Sequence, residues 1–306
     1  SPDGLHWHKR PEPVQSEGPF DSHNIAFRDP WTGKYLMYAR GIRTEGVPGH
    51  GATTSFKEGV RWIRRAESAD FVDWSPLELI ETADQTLEHL YTNACVPYER
   101  SEGLYLMFPS RFVDGRTPNP AWDYNGVNDA VLMSSRDSKC FDRTFKEAWV
   151  RPGADPDQWH ERSVYIMRGI LDTAPNELSM YMSDHWRLPS NTIRRLSLRK
   201  DGFASLRAGY AGGEAVTRPL VCAGGQLRLN VSTSAVGSVR VEVQDPEGRP
   251  LPGLGLDDCA EIFADEIDRP VLWADDSALT AAAGRPVRLR FALCDADLYA
   301  FRFTGD

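Results

Sequence analysis

Two carboxylates stand directly before strand-like apolar runs and could work as a catalytic pair. Asp21 precedes the run Ile25–Phe27, and Glu161 precedes the run that follows Ser163. Two carboxylates that face one pocket at roughly 5–9.5 Å can cleave a glycosidic bond, one as acid and one as base or nucleophile. Burial and mutual repulsion raise the pKa of one partner, which then donates the proton. We expect Asp21 to act as base or stabiliser, and Glu161 or Glu177 to donate the proton.

Polar side chains near these carboxylates could hold a polyhydroxylated ligand. Arginine presents a fork of N–H donors that suits hydroxyls and carboxylates, so several arginines in one funnel could bind a neutral or an acidic sugar. The residues that we expect to bind substrate are His23, Asn24, Arg40, Asn93, Arg111, Asp129 and Arg162.

Several of these residues also have a purely structural interpretation. Asp21 and His23 could cap the turn before the strand, because such side chains bond nearby backbone. Glu161 could form an ion pair with its neighbour Arg162. Glu177 and Asp129 could each face a neighbouring sheet instead of a site.

The elements that would position these residues repeat along the chain. Residues 20–40 contain a polar head, an apolar strand, a Pro/Gly turn and an aromatic-rich strand, which predicts an antiparallel hairpin. Residues 91–111 and 163–183 follow the same plan. A further strand with an Asp-containing turn follows each hairpin, in residues 61–75, 128–143 and 191–206. The period of roughly 70 residues predicts four-stranded propeller blades, whose inner strands would bring the polar heads into one funnel.

The sequence changes character after Gly209, where shorter alternating strands favour a β-sandwich. We therefore predict blades in residues 1–208 and a sandwich in residues 209–306, with a helical turn only within Asp257–Asp268. The strands predicted in this second part are Glu214–Cys222, Gln226–Val231, Ser238–Gln244, Val271–Trp273, Val287–Leu293 and Leu298–Phe303.

Composition argues against several classes of protein. The 306-residue chain has a net charge of −9, which does not suit a surface that neutralises nucleic-acid phosphates. No apolar run reaches the roughly 18–20 residues of a membrane span, so we expect no membrane partner. The sequence leaves a cytoplasmic or a periplasmic location equally open.

Metal and cofactor sites are not indicated either. The five cysteines are odd in number and form no CxxC pair, which favours buried thiols over a zinc site or a disulfide framework. His6 and His8 alternate around Trp7 without an apparent third ligand. We predict no metal and no cofactor.

The chain resembles the five-bladed propeller glycosidases related to glycoside hydrolase families 32 and 43, the invertase-like and arabinanase-like enzymes. The segments that carry the resemblance are SPDGLHW, FDSHNIAFRDPWTGKYLMYARG, YTNACVPYE and GLYLMFPSR. The resemblance implies an all-β chain, a partial five-bladed β-propeller followed by a β-sandwich. It also implies that blades preceding Ser1 belong to the same native polypeptide, since only three full blades and the tail of a fourth are present.

The same resemblance assigns roles to individual residues. Asp21 occupies the place of the middle acid of that group, a transition-state stabiliser. Asn93 stands where the general acid of the next blade is expected, and Glu161 on the last blade would take its place.

Three functional hypotheses follow. The leading one is a glycoside hydrolase that cleaves a polysaccharide or oligosaccharide by carboxylate acid/base catalysis. The second is a non-catalytic propeller that binds carbohydrate through the same funnel. The third is a propeller-type phosphorylase, in which the arginines would hold phosphate.

Overall fold

The computed structural model describes residues 1–44, 59–84, 86–121, 125–275 and 277–305. These residues form two compact units. The first contains Ser1–Leu171 and Ser179–Leu196, and the second contains Asp172–Leu178 and Ser197–Asp306. Strands dominate both units, which confirms the all-β prediction. The predicted division at residue 208 stays a prediction.

Short strands make up the chain as far as residue 199. In order they are β1 (Ile25–Arg28), β2 (Tyr35–Arg43), β3 (Val60–Ser68), β4 (Glu78–Leu79), β5 (Glu81–Thr82), β6 (His89–Leu90), β7 (Val96–Pro97), β8 (Tyr105–Met107), β9 (Ser110–Val113), β10 (Val127–Ala130), β11 (Met133–Ser135), β12 (Cys140–Phe141), β13 (Tyr165–Ile166), β14 (Leu171–Ala174), β15 (Glu177–Asp184) and β16 (Thr192–Arg199). A short 3-10 helix, Pro156–Gln158, precedes β13.

The first repeat forms a four-stranded antiparallel sheet in the order β1-β2-β3-β4. Its hairpin pairs Ile25 with Tyr38 and Arg28 with Tyr35. The turn closes because the Asp29 amide donates to the Lys34 carbonyl at 2.7 Å, while Gly33 adopts a φ of 72° that glycine tolerates best. The predicted hairpin is therefore present.

The second and third repeats also form sheets. The second gives the three-stranded sheets β7-β8-β11 and β6-β9-β10, and β12 pairs in parallel with β5. In the third repeat, β13, β14 and β16 all pair with β15. The arrangement of these sheets as blades around one axis stays a prediction.

Aromatic side chains fill the core of the first unit. Tyr38, Trp62 and Phe141 are fully buried, and the rings of Tyr38 and Phe141 meet edge to face at 6.1 Å. Their polar atoms find partners, as buried aromatic donors usually do. The Tyr38 hydroxyl donates to the Ser138 carbonyl at 2.8 Å, and the Trp62 indole donates to the Ile80 carbonyl at 2.9 Å. These contacts hold β2, β3 and β12 in the core of the first unit.

Two long strands dominate the second unit, which also contains most of β14, the start of β15 and the end of β16. The strands that follow residue 199 belong to this unit. They are β17 (Leu206–Ala208), β18 (Gly213–Val216), β19 (Leu220–Val221), β20 (Gln226–Gln244), β21 (Asp265–Pro270) and β22 (Pro286–Thr304).

The long strands correct the predicted strand pattern. β20 and β22 have 19 residues each and join segments that the sequence analysis separates. Their pairing register shifts between Thr233 and Ser238, so each strand continues through an irregularity instead of ending in a turn. Buried side chains from both halves of the two strands, including Leu229, Val241 and Phe291, form the core of this unit.

The position of the helix was predicted wrongly. Within the described residues the α-helix is α1, Ser277–Ala281, outside the predicted segment Asp257–Asp268. Asp275 accepts from the Ser277 amide at 3.0 Å ahead of an alanine-rich run, which favours a helix there. Among helices in the described ranges, none combines the length and apolar character of a bilayer span.

Candidate functional site

A cavity of about 370 Å³ lies in the first unit, where the three predicted hairpin heads meet. Residues 21–23, 91–92, 162, 165–168, 183 and 186 line it. The first two groups directly precede the strands of the first two repeats. The others come from the start of the third repeat and from the end of β15 and the residues just after it. Segments distant in sequence therefore supply one lining.

Asp21 is the carboxylate of the lining, and it is held by a buried arginine. Its side chain is 60% exposed, whereas the Arg40 side chain is 2% exposed. The Nη1 of Arg40 lies 2.6 Å from each carboxylate oxygen of Asp21. A carboxylate held in this way accepts hydrogen bonds. This arrangement suits Asp21 for binding or for a base role more than for proton donation.

His23, two residues after Asp21 in the same polar head, also lines the cavity. Burial, and then the charge of Arg168, lower the pKa of its imidazole below the ordinary 6.5. The buried Asn93 positions this residue by donating from its amide to the His23 carbonyl at 2.7 Å. Asn93 also accepts from the Cys95 amide at 3.2 Å and does not itself border the cavity. Its role is therefore to hold the backbone at His23.

Tyr91 forms a wall of the cavity, and three arginines contact its ring. The guanidinium carbons of Arg40, Arg61 and Arg162 lie 5.1, 5.3 and 5.8 Å from the ring centroid. Cations at this distance from an aromatic ring are attracted by its electron-rich face. The ring also stacks on Tyr165, with centroids 5.6 Å apart and planes inclined by 17°.

Glu161 stands beside the cavity and contacts arginines. Its carboxylate lies 3.7 Å from the Arg162 Nε and 3.1 Å from an Arg187 Nη. Arg162 lines the cavity and holds an unusual φ of 66°, which its amide hydrogen bond to the Asn128 side chain at 2.5 Å supports. The predicted proton donor is thus largely buried, with a side chain 12% exposed, and engaged in ion pairs.

The third repeat and the residues just after it supply two unpaired hydroxyls, among the described residues, and an exposed indole. Neither the Tyr165 hydroxyl nor the Ser183 hydroxyl has a hydrogen-bond partner among the described residues, although both oxygens are buried. Burial, more than the nearby charges, raises the pKa of Tyr165 well above its ordinary value. Trp186 is 40% exposed and lies 6.4 Å from the Tyr165 ring. Unsatisfied hydroxyls next to an open indole are features of a ligand site.

Besides Arg40, Asn93 and Glu161, which contact lining residues without bordering the cavity themselves, four predicted site residues lie away from the lining. Asn24 donates to the Phe20 carbonyl at 2.8 Å and closes the turn before β1. Arg111 and Asp129 face each other on β9 and β10 and form two hydrogen bonds, of 2.9 and 2.6 Å. Glu177 lies at the start of β15, in the second unit, and accepts from the Thr173 hydroxyl at 3.2 Å. All four serve local structure in the described geometry.

Sequence reasoning did not select several residues that line the cavity. Tyr91 opens the second polar head, but the prediction favoured its more polar neighbour Asn93. Tyr165 lies in the strand of the third repeat, where an aromatic residue is equally expected in a core. Trp186 follows β15 and lies outside every repeated segment. Arg168 is an arginine at a hairpin end, a type that the sequence associates with ligand binding, but it was not among the residues predicted to bind substrate.

A cluster of possible metal ligands lies elsewhere in the first unit. One ligand atom from each of Asp155, Asp157 and His185 lies within 4.8 Å of the others. Asp155 and His185 already form an ion pair at 2.9 Å, and Asp155 also caps the 3-10 helix. Local structure accounts for these contacts, and the absence of a metal stays a prediction.

Comparison with known proteins gives only distant likenesses. No protein-family model matches the chain, and no curated protein matches it. Among solved structures, an N-acetylgalactosamine deacetylase from F. plautii in complex with blood group B trisaccharide is similar, with a TM-score of 0.35, 11% identity, and coverage of 88% of this chain and 54% of that one. An arabinoxylan arabinofuranohydrolase of glycoside hydrolase family 43 from Bacillus subtilis, in complex with cellotetraose, is also similar. Its TM-score is 0.34 and its identity 11%, and the match covers 92% of this chain and 66% of that one.

Another similar structure is described as a glycoside hydrolase, with a TM-score of 0.38, 10% identity, and coverage of 62% of this chain and 50% of that one. The chain thus spans about half the length of the first proteins that it matches. At such scores the likenesses carry no argument about activity.

Proposed function

We propose that this protein binds carbohydrate in the cavity between Asp21, Tyr91 and Trp186. The observation that carries the proposal is the half-open indole of Trp186 beside the unpartnered hydroxyls of Tyr165 and Ser183. In the same proposal, the sheets of the first unit are blades of a β-propeller.

The chemistry of a sugar fits this lining. A pyranose has apolar C–H faces and a rim of hydroxyls, so it needs an aromatic surface and a few convergent polar groups. Trp186 and Tyr165 offer the surface. Ser183, Asp21 and Arg162 offer acceptors and donors around it. The volume of about 370 Å³ suits one or two sugar units.

Calorimetric titration with a panel of methyl glycosides and oligosaccharides tests this proposal. We expect at least one sugar to bind, and Trp186→Ala to weaken its binding about tenfold, since loss of an aromatic contact costs about 1 kcal/mol or more. Trp7→Ala is the matched control, because Trp7 is 75% exposed and lies outside the lining. Equal affinities of the two variants would contradict the proposed location.

Cleavage of the bound sugar is the second candidate function, and the open position of Asp21 favours it. Asp21 could act as base or stabiliser, with Glu161 as the partner acid. If the protein is a hydrolase, Asp21→Asn and Glu161→Gln abolish turnover and retain sugar binding. A phosphate requirement for turnover would instead select the phosphorylase mechanism.

A further inference from the structure

The charge of one cavity arginine is not offset by a carboxylate among the residues that the structure describes. Arg168 lines the cavity, and its guanidinium carbon lies 5.1 Å from the Phe27 ring centroid. Among the residues that the structure describes, it makes no hydrogen bond and no ion pair. Burial removes this guanidinium partly from water and thereby lowers the pKa of Arg168. None of its nitrogen atoms is among the fully buried, unpartnered polar atoms of the described residues, so they remain accessible and can donate to a ligand.

Other arginines lie in or next to the lining. Arg162 lines the cavity, and the guanidinium carbons of Arg40, Arg61 and Arg162 lie 5.1, 5.3 and 5.8 Å from the Tyr91 ring centroid. Neighbouring titratable groups respond to these charges in the expected direction. Arg168 contributes to the lowered pKa of His23, and Arg40 and Arg162 contribute to the lowered pKa of Arg61, after burial in each case.

The carboxylates near the cavity are already committed to other arginines. Asp21 is bound by Arg40, and Glu161 lies between Arg162 and Arg187. Neither of these ion pairs includes Arg168. The described part of the lining therefore has an excess of positive charge, although the whole chain carries a net charge of −9.

We infer that the cavity takes a sugar bearing a negative charge, a carboxylate or a sulfate ester, which Arg168 binds directly. The inference rests on the proposed carbohydrate binding and names the class of ligand. Arginine suits this role, because two of its N–H groups can donate in parallel to two oxygens of one anionic group. Trp186 and the Tyr165 and Ser183 hydroxyls would contact the remainder of the sugar.

Titration with matched pairs of ligands tests the inference. The probes are the methyl glycosides of glucuronic acid, galacturonic acid and galactose 6-sulfate, each compared with its neutral parent, and inorganic phosphate alone. For at least one pair we expect the anionic member to bind about tenfold more tightly, as a charge-assisted hydrogen bond implies. The preference should shrink as salt rises, because ions screen exposed charges.

Variants of Arg168 locate the effect. We expect Arg168→Gln to abolish the preference for the anionic sugar and to retain binding of its neutral parent. Arg168→Lys should keep part of the preference, since the charge remains but the paired donors are lost. Arg151→Gln is the matched control, because Arg151 is exposed and lies outside the lining. Circular dichroism of each variant confirms the fold, and the salt dependence of the unaltered protein provides a measurement that needs no variant.

The outcomes separate this inference from the proposed function. Equal affinity for charged and neutral sugars would overturn the inference and leave carbohydrate binding intact. Binding of phosphate with no preference among sugars would also overturn it and favour a site for free phosphate. Failure of every sugar to bind would overturn the proposed function and the inference together. An anionic preference that survives Arg168→Gln would contradict the role of Arg168.

Discussion

Asp21 and Arg40 illustrate how one ion pair serves both the fold and the cavity. The guanidinium is buried beneath Tyr91, and the carboxylate reaches into the cavity opening. Removing one partner of such a pair leaves the other charge without a partner. The resulting loss of stability is usually larger than the net stabilisation that the pair provides. Asp21 therefore contributes to stability whether or not it contributes to chemistry.

We predict that Asp21→Asn lowers the free energy of unfolding by about 1 kcal/mol, a modest value because the carboxylate is largely exposed to solvent. Urea denaturation measures the change. Asp73→Asn, at an exposed position outside the lining, is the control and should leave the midpoint unchanged. A midpoint for Asp21→Asn equal to that of the unaltered protein would show that the pair is not formed in solution.

The imidazole of His23 predicts a pH dependence with a definite sign. Folding lowers its pKa from the ordinary 6.5, so the unfolded chain binds the proton more readily than the folded one. Its contribution to stability is therefore complete above pH 6.5 and is progressively lost as the pH falls below that value. NMR titration should give His23 a pKa below 6.5, identified by loss of its signal in His23→Gln. A pKa at or above the ordinary value would contradict the buried environment.

At the scale of elements, the hairpin of β1 and β2 carries the first polar head. Its turn depends on Gly33, whose φ of 72° lies in the left-handed region that strains a residue with a Cβ. An added Cβ would meet no atom closer than the Arg28 side chain at 3.6 Å. Backbone strain, not steric overlap, should decide the effect of a substitution there.

We predict that Gly33→Ala destabilises the protein by about 1–2 kcal/mol, the cost of the left-handed conformation for a residue with a Cβ. Thermal unfolding measures the loss. Gly209→Ala provides the comparison, because an added Cβ there meets nothing within 4 Å and no positive φ is required. Equal unfolding temperatures for the two variants would show that the turn relaxes without cost.

The elements show where sequence reasoning succeeds. Pro or Gly residues in the turns between apolar runs mark the hairpins β1-β2, β7-β8 and β14-β15, because these residues stop strands for local reasons. The merging of Gln226–Val231 with Ser238–Gln244 depends on pairing with distant residues of β22, and local composition does not encode it. Small residues at 234–237 resemble a turn and instead form an irregularity within one strand.

At the scale of the whole molecule, the chain enters the second unit before the strands of its main sheet begin. Arg199 donates to the Asn230 side chain at 2.9 Å and to the Val231 carbonyl at 3.3 Å, and it pairs with Asp265 at 2.5 Å. Its guanidinium carbon also lies 4.4 Å from the Tyr299 ring centroid. These contacts tie residue 199 to the second unit.

We predict that Arg199→Gln lowers the free energy of unfolding by about 1–3 kcal/mol, because several charge-assisted hydrogen bonds are lost together. Chemical denaturation of the full chain measures it. Arg207→Gln should change stability little, since the Arg207 side chain is 75% exposed and lies 4.0 Å from its partner Asp297. Similar losses for both variants would contradict the structural role assigned to Arg199.

The site itself could be predicted from the sequence only in outline. The convergence of the three heads follows from the repeat, which brings corresponding positions to one end of neighbouring sheets. The repeat does not predict which side chains enter the cavity. That depends on the alternation of side chains along a strand and on small changes of backbone direction. Asn93 thus turns to support His23, while Tyr91 and Tyr165 face the cavity.

Location of a bound sugar is the most direct test of the central claim. A crystal structure determined with a saturating concentration of methyl β-D-glucuronide or of methyl β-D-glucoside would provide it. We predict a sugar ring against Trp186, hydroxyls within hydrogen-bond distance of Ser183 and Tyr165, and the carboxylate of the glucuronide on Arg168. Sugar bound only at another surface, with this cavity occupied by water alone, would contradict the claim.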